Sequence, residues 1–84
     1  MVKILTQDNC KNCELLKMFL KNGLGGSLDH KIEFIHKAEK PEEYAELVEK
    51  HSVMSTPFLV SDSGETLPLA VFDPMKAEKF ISEN

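Results

Sequence analysis

Arginine and tryptophan are missing from this chain of 84 residues, tyrosine occurs once, and cysteine only twice. Each scarcity narrows the possibilities. Ten lysines face fourteen acidic residues, for a net charge of −4, with Glu39, Glu42, Glu43, Glu46 and Glu49 crowded into one stretch. A phosphate backbone requires clustered cations, so nucleic acid is not expected as a partner. No apolar run approaches the ~18 residues of a membrane span, so no membrane is expected either. Val2-Lys3-Ile4-Leu5-Thr6 is too short, and too soon interrupted, for the core of a signal peptide. The expected location is the cytoplasm, where thiols stay reduced. Without tryptophan the core must be assembled from Leu, Ile, Val, Phe and Met. At 42% hydrophobic and 29% charged, the composition is that of an ordinary globular protein. The length fits one domain, 1–84, whose thin core takes little more than ~60% of the unfolded chain's surface out of water. No repeat, linker or low-complexity segment divides it.

What is present has readable periodicity. Val2 to Thr6 alternates and is rich in β-branched residues, which predicts a strand. Asp8 and Asn9 are good N-cap types and place a helix start at or just before Cys10. Leu15, Leu16, Phe19 and Leu20 follow at helical spacing, until Asn22-Gly23 supplies a stop. After a glycine-rich loop to Ser27, Lys31 to Lys37 reads as a second strand. Lys40-Pro41-Glu42-Glu43 suits a helix start, with proline in the first turn and acids at the positive end of the dipole. Tyr44, Leu47, Val48 and His51 mark its apolar face. Phe58 to Val60 reads as a strand buried on both sides, and Ser61-Asp62-Ser63-Gly64 as a turn. Leu67, Leu69 and Val71 alternate in a fourth strand, with Pro68 arguing for a sheet edge. Asp73-Pro74 caps a last helix with Ala77, Phe80 and Ile81 inward. The order is βαβαββα: a parallel unit with a right-handed crossover, then a hairpin.

The two cysteines stand three apart, a spacing that random placement gives in roughly 2% of cases. Cys10-Lys11-Asn12-Cys13 falls where the first strand hands over to the first helix. There, unpaired N–H groups and the helix dipole stabilise a thiolate, drawing an exposed cysteine from about 8.5 towards about 7 or below. Such a thiolate attacks a disulfide, and the second cysteine resolves the mixed disulfide. Lys11 favours the thiolate; Asp8 opposes it. Two other readings stand beside this one. A structural disulfide closing so short a loop contributes only ~2 kcal/mol and is reduced in a cytosol. A zinc site requires two further ligands, for which His30, His36 and His51 are the available imidazoles. His51, on an apolar helix face, reads as a core histidine, and His36, ending a strand, as a solvated one. No metal and no cofactor are expected; Cys10 and Cys13 are themselves the reacting groups.

These residues resemble a known family. The opening strand, a few polar residues, Cys-x-x-Cys and an amphipathic helix are similar to the start of glutaredoxins. Ser55-Thr56-Pro57-Phe58 resembles the cis-proline loop of thioredoxin-like folds. The resemblance implies an α/β, thioredoxin-like (glutaredoxin-like) fold with a four-stranded mixed sheet flanked by three helices. It implies a disulfide oxidoreductase in which Cys10 is the nucleophile and Cys13 resolves. It further implies that Pro57 is cis and faces the cysteines, that the Thr56 backbone pairs with substrate, and that Lys11, Asn12, Phe72 and Asp73 shape the groove. Three positions depart from glutaredoxins. Gln7 stands where a lysine is usual, Lys11-Asn12 where Pro-Tyr is favoured, and Val71-Phe72-Asp73-Pro74 where a Gly-Gly and an acidic pair hold glutathione. That last stretch looks more like the glutaredoxin-shaped redoxins recycled by thioredoxin reductase, which can feed ribonucleotide reductase. The expected partners are disulfide-bearing proteins and a reductant, thioredoxin reductase in preference to glutathione, and the expected state is a monomer. The alternative from another class is a non-catalytic metal-binding or adaptor module on the same fold.

Overall fold

The computed structural model describes residues 1–69 and 71–84. Alternation in the first strand, β1 (Val2–Thr6), sets the layering: Val2 and Ile4 point to one side of the sheet and Leu5 to the other. Strand β2 (Ile32–His36) runs parallel to β1, with Val2 opposite Ile32 and Thr6 opposite His36. Strand β3 (Phe58–Val60) runs antiparallel on the other flank of β1, with Leu5 opposite Phe58. A hairpin through the Ser61–Gly64 turn returns as β4 (Thr66–Pro68), giving the order β2-β1-β3-β4. Gly64, at φ +93°, takes a turn conformation that a side chain would strain. Pro68 sits on the outer strand, where its missing N–H costs no interior ladder bond.

Helices cover both faces. α1 (Lys11–Met18) and α3 (Pro74–Glu83) bury Leu16, Ala77 and Ile81 against Val2, Ile4, Ile32, Leu59 and Leu69. α1 runs on into a π-helical turn, Phe19–Gly23, which buries Leu20 in the same layer. α2 (Pro41–His51) covers the opposite face, where Tyr44, Leu47 and Val48 meet Leu5, Ile35, Phe58 and Val60. Burial pushes the Tyr44 phenol pKa above its ordinary value. Each fully buried side chain such as Ile4 or Leu59 contributes about 1.5–3 kcal/mol. The half-exposed Lys3–Glu43 and Lys40–Glu33 ion pairs, each 2.8 Å, are surface pairs of minor weight, so the two apolar layers dominate stability. Among the described residues, no helix is long and apolar enough to cross a membrane.

Three expectations need correction. The fourth strand ends at Pro68 rather than continuing to Val71. Leu69 N–H still bonds Pro57 O at 3.0 Å, whereas the carbonyl of Thr56, which precedes β3, is turned toward Cys10. Leu69 is buried, whereas Val71 is 81% exposed; Ala70, which the longer strand would include, lies outside the described residues. His51 is half-buried at the last turn of α2 and is no core residue. His36 is not simply solvated, as its bonds below make plain.

Candidate active site

Strand register brings the site together. The antiparallel β1–β3 pairing sets Leu5 opposite Phe58, and just beyond it Gln7 comes within hydrogen-bond reach of Thr56. The segment leading into the cysteines therefore lies beside the segment leading into β3. The Thr56–Pro57 peptide bond is cis, and both residues are buried. Gln7 Nε2 donates to Thr56 Oγ1 at 3.2 Å, and the Thr56 hydroxyl donates to Cys10 Sγ at 3.3 Å. The Thr56 carbonyl oxygen lies 3.6 Å from the same sulfur.

The helix start differs in detail from the sequence expectation. Neither Asp8 nor Asn9 caps α1; Cys10 does, its Sγ accepting the Cys13 N–H at 3.1 Å. Asn9 instead takes a left-handed φ of 58°, which asparagine tolerates better than most residues. Cys10 and Cys13, with Cα atoms 5.2 Å apart, form a disulfide across the first turn of the helix. The two sulfurs are unequal. Cys10 is half-buried at the helix start, and Cys13 is 1% exposed.

A second group of bonds anchors the approach to Cys10. Thr6, fully buried, bonds His36 Nδ1 through its hydroxyl at 2.8 Å, and His36 Nε2 meets Asp8 Oδ1 at 3.0 Å. A neutral ring satisfies both contacts, with Nδ1 accepting from Thr6 and Nε2–H donating to Asp8. Asp8 thus has a partner other than the cysteine pair. Sequence reasoning missed this arrangement and the Gln7–Thr56 bond. Thr6 faces His36 in the β1–β2 register, and Gln7 meets Thr56 just past the β1–β3 pairing, neither of which a local motif reveals.

The remaining residues of interest are less closely gathered. Lys11 is exposed at the first position of α1, and Asn12 is half-buried between the cysteines. Phe72 packs against the α1–α3 core layer, and Asp73 caps α3, its Oδ1 accepting the Lys76 N–H at 3.1 Å. Phe72 and Asp73 line a shallow cavity of about 320 Å³ with Leu67, Pro68, Leu69, Val71 and Lys76. A separate open cleft of about 500 Å³ borders the cysteine loop, walled by Gln7, Asp8, Lys37, Ala38 and Pro41. Among the described residues, no group of three or more His, Cys, Asp or Glu side chains is arranged to hold a metal ion.

The geometry has counterparts among solved structures. The crystal structure of the thioredoxin-like protein BC3987 superposes with a TM-score of 0.69 at 24% identity, covering 94% of this chain and 97% of that one. The fold is thioredoxin-like. The solution structure of a thioredoxin from Thermus thermophilus superposes with a TM-score of 0.58 at 16% identity, covering 98% of this chain and 70% of that one. No protein-family model and no curated protein sequence matches the chain. At these identities the likeness establishes the fold alone. Within this thioredoxin-like domain, two cysteines that reach bonding distance across one helical turn are equipped to alternate between dithiol and disulfide.

Proposed function

We propose that the protein is a dithiol–disulfide oxidoreductase that reduces protein disulfides through Cys10 and Cys13. The observation that carries this reading is the Cys10–Cys13 disulfide at the N-terminus of α1, with the Thr56 hydroxyl on Cys10. In the reduced protein the more accessible Cys10 thiolate attacks one sulfur of a substrate disulfide. A Cys10–substrate bond forms, the substrate S–S bond breaks, and the other substrate sulfur leaves as a thiolate that takes up a proton. Cys13 loses its proton and attacks Cys10 Sγ, which restores the Cys10–Cys13 bond and releases the second substrate thiol. Two electrons pass from protein to substrate. Thr56 and Pro57, flanking Cys10, form one wall of the substrate site, and Lys11 and Asn12 the adjoining one; Phe72 and Asp73 are its outer margin.

The electron donor in this proposal is a flavin-dependent reductase of the thioredoxin reductase type rather than glutathione. Glutathione carries two carboxylates and needs free cationic or N–H groups. The Gln7 amide is engaged with Thr56, and Asp73 caps α3 while adding a negative charge. A ribonucleotide reductase is an acceptor of fitting chemistry. The test is NADPH consumption with a disulfide-bonded protein substrate and each reducing system in turn. Turnover should require Cys10 and run faster with thioredoxin reductase than with glutathione and its reductase. No turnover with either, or turnover retained in Cys10→Ser, contradicts the proposal. The metal-binding reading instead requires near-equimolar zinc in protein purified under reducing conditions, with stability lost to a chelator.

A further inference from the structure

Gln7 lies three residues before the first cysteine, and its amide nitrogen bonds the hydroxyl of Thr56. A threonine hydroxyl has a single hydrogen and two lone pairs. With one lone pair occupied by the Gln7 N–H, the hydrogen is left to point at Cys10 Sγ, 3.3 Å away. Resting on the oxidoreductase reading above, we propose that Gln7 is a positioning residue that holds the Thr56 hydroxyl as a donor to Cys10 and so stabilises the attacking thiolate. The donors on that sulfur then include the Thr56 O–H and the Cys13 N–H at 3.1 Å. Two described groups act in the opposite sense, the Asp8 carboxylate by its charge and the Thr56 carbonyl by its position. The Thr56 carbonyl, 3.6 Å from Sγ, offers an acceptor to the protonated thiol. Charge strengthens hydrogen bonds, so the hydroxyl favours the thiolate over the neutral thiol. Gln7 directly follows β1 and Thr56 lies two residues before β3, so the β1–β3 pairing anchors both ends of the relay close to the sheet.

The role is separable from simple packing. Thr56→Val removes the hydroxyl while keeping shape and the backbone carbonyl. Gln7→Met keeps length and removes the amide donor. The readout is the Cys10 thiol pKa, followed by thiolate absorbance or alkylation rate against pH in the Cys13→Ser background. Thr56→Val should raise that pKa by about one pH unit, the size expected for losing one hydrogen bond to a charged group. Thr56→Ser should restore the wild-type value to within a few tenths. Gln7→Met should raise it by about half a unit. In the presence of Thr56→Val, Gln7→Met should add nothing, because Gln7 acts only through the hydroxyl. A Gln7→Met pKa equal to wild type, or an effect fully additive with Thr56→Val, overturns the proposal. Circular dichroism of each variant separates loss of fold from loss of the relay. Gln7 is half-buried and methionine keeps its length, so Gln7→Met should lower Tm by no more than a few degrees, and a large fall would mark a structural role instead. The pKa needs no substrate. A wild-type protein that reduces no disulfide would therefore refute the oxidoreductase reading and leave the relay to stand or fall on its own numbers.

Discussion

Replacing His36 with alanine probes the part of the site that local sequence motifs do not reveal. The side chain bridges the buried Thr6 hydroxyl, 2.8 Å from Nδ1, and Asp8, 3.0 Å from Nε2. Thr6 is fully buried, so loss of the imidazole strands its hydroxyl away from water. A buried hydroxyl left without a partner costs about 1–3 kcal/mol. The Asp8 contact adds little, since that carboxylate side chain is 73% exposed and pairs of this kind are worth about 0–1 kcal/mol. For a domain of this size each kcal/mol moves Tm by about 4–8 °C, so His36→Ala should melt roughly 5–20 °C lower. The mechanism has its own control. Removing both polar partners is far less costly than removing one, so adding Thr6→Val to His36→Ala should recover part of the loss. Calorimetry on the two single variants and the double variant measures both quantities. A His36→Ala shift under about 2 °C, or a double variant no more stable than His36→Ala, would refute the account of this bridge.

Other consequences follow from exposure and charge. The reduced protein should be alkylated first at Cys10, at a pH below the ordinary thiol value of about 8.5, while Cys13, 1% exposed, reacts much more slowly; peptide mapping after timed quenching distinguishes them. Leu69→Ala should cost about 2–5 kcal/mol and Val71→Lys less than about 0.5 kcal/mol in urea unfolding, since Leu69 is 2% and Val71 81% exposed. Equal costs would revive the longer fourth strand. The hydrogen bond from Lys40 holds the Glu33 carboxyl below its ordinary 4.5. Its contribution is therefore complete above that value and disappears as pH falls through the lower, folded-state value. Tm against pH should show a small acid loss, reduced by salt, that Glu33→Gln lacks.

Much of the fold is legible in the sequence because each layer has its own periodicity. The alternation in Val2–Thr6, the helical spacing of Leu16 and Leu20, and the Asp73-Pro74 cap all reappear in the structure. The fourth strand misleads because alternation of Leu67, Leu69 and Val71 says nothing about whether a partner strand is present to pair with them. The helix cap misleads for a related reason. Asp8 and Asn9 are good caps in isolation, but pairing of β1 with β2 brings His36 to Asp8 and leaves Cys10 to cap α1. At the site, the cysteine pair is visible as a motif, whereas Gln7 and His36 acquire partners only through the pairing of segments far apart in the chain. Long-range pairing is what a local reading leaves out.

In the proposed cycle Cys10, and not Cys13, makes the first bond to substrate. This is tested most directly by mixing reduced Cys13→Ser protein with an excess of a disulfide-bonded protein or peptide and measuring intact mass without reductant. Cys13→Ser should yield a stable mixed disulfide, one substrate chain per protein, mapped to Cys10, and Cys10→Ser little or no adduct under the same conditions. Adducts of equal yield from the two variants, or none from either, would contradict the proposed cycle.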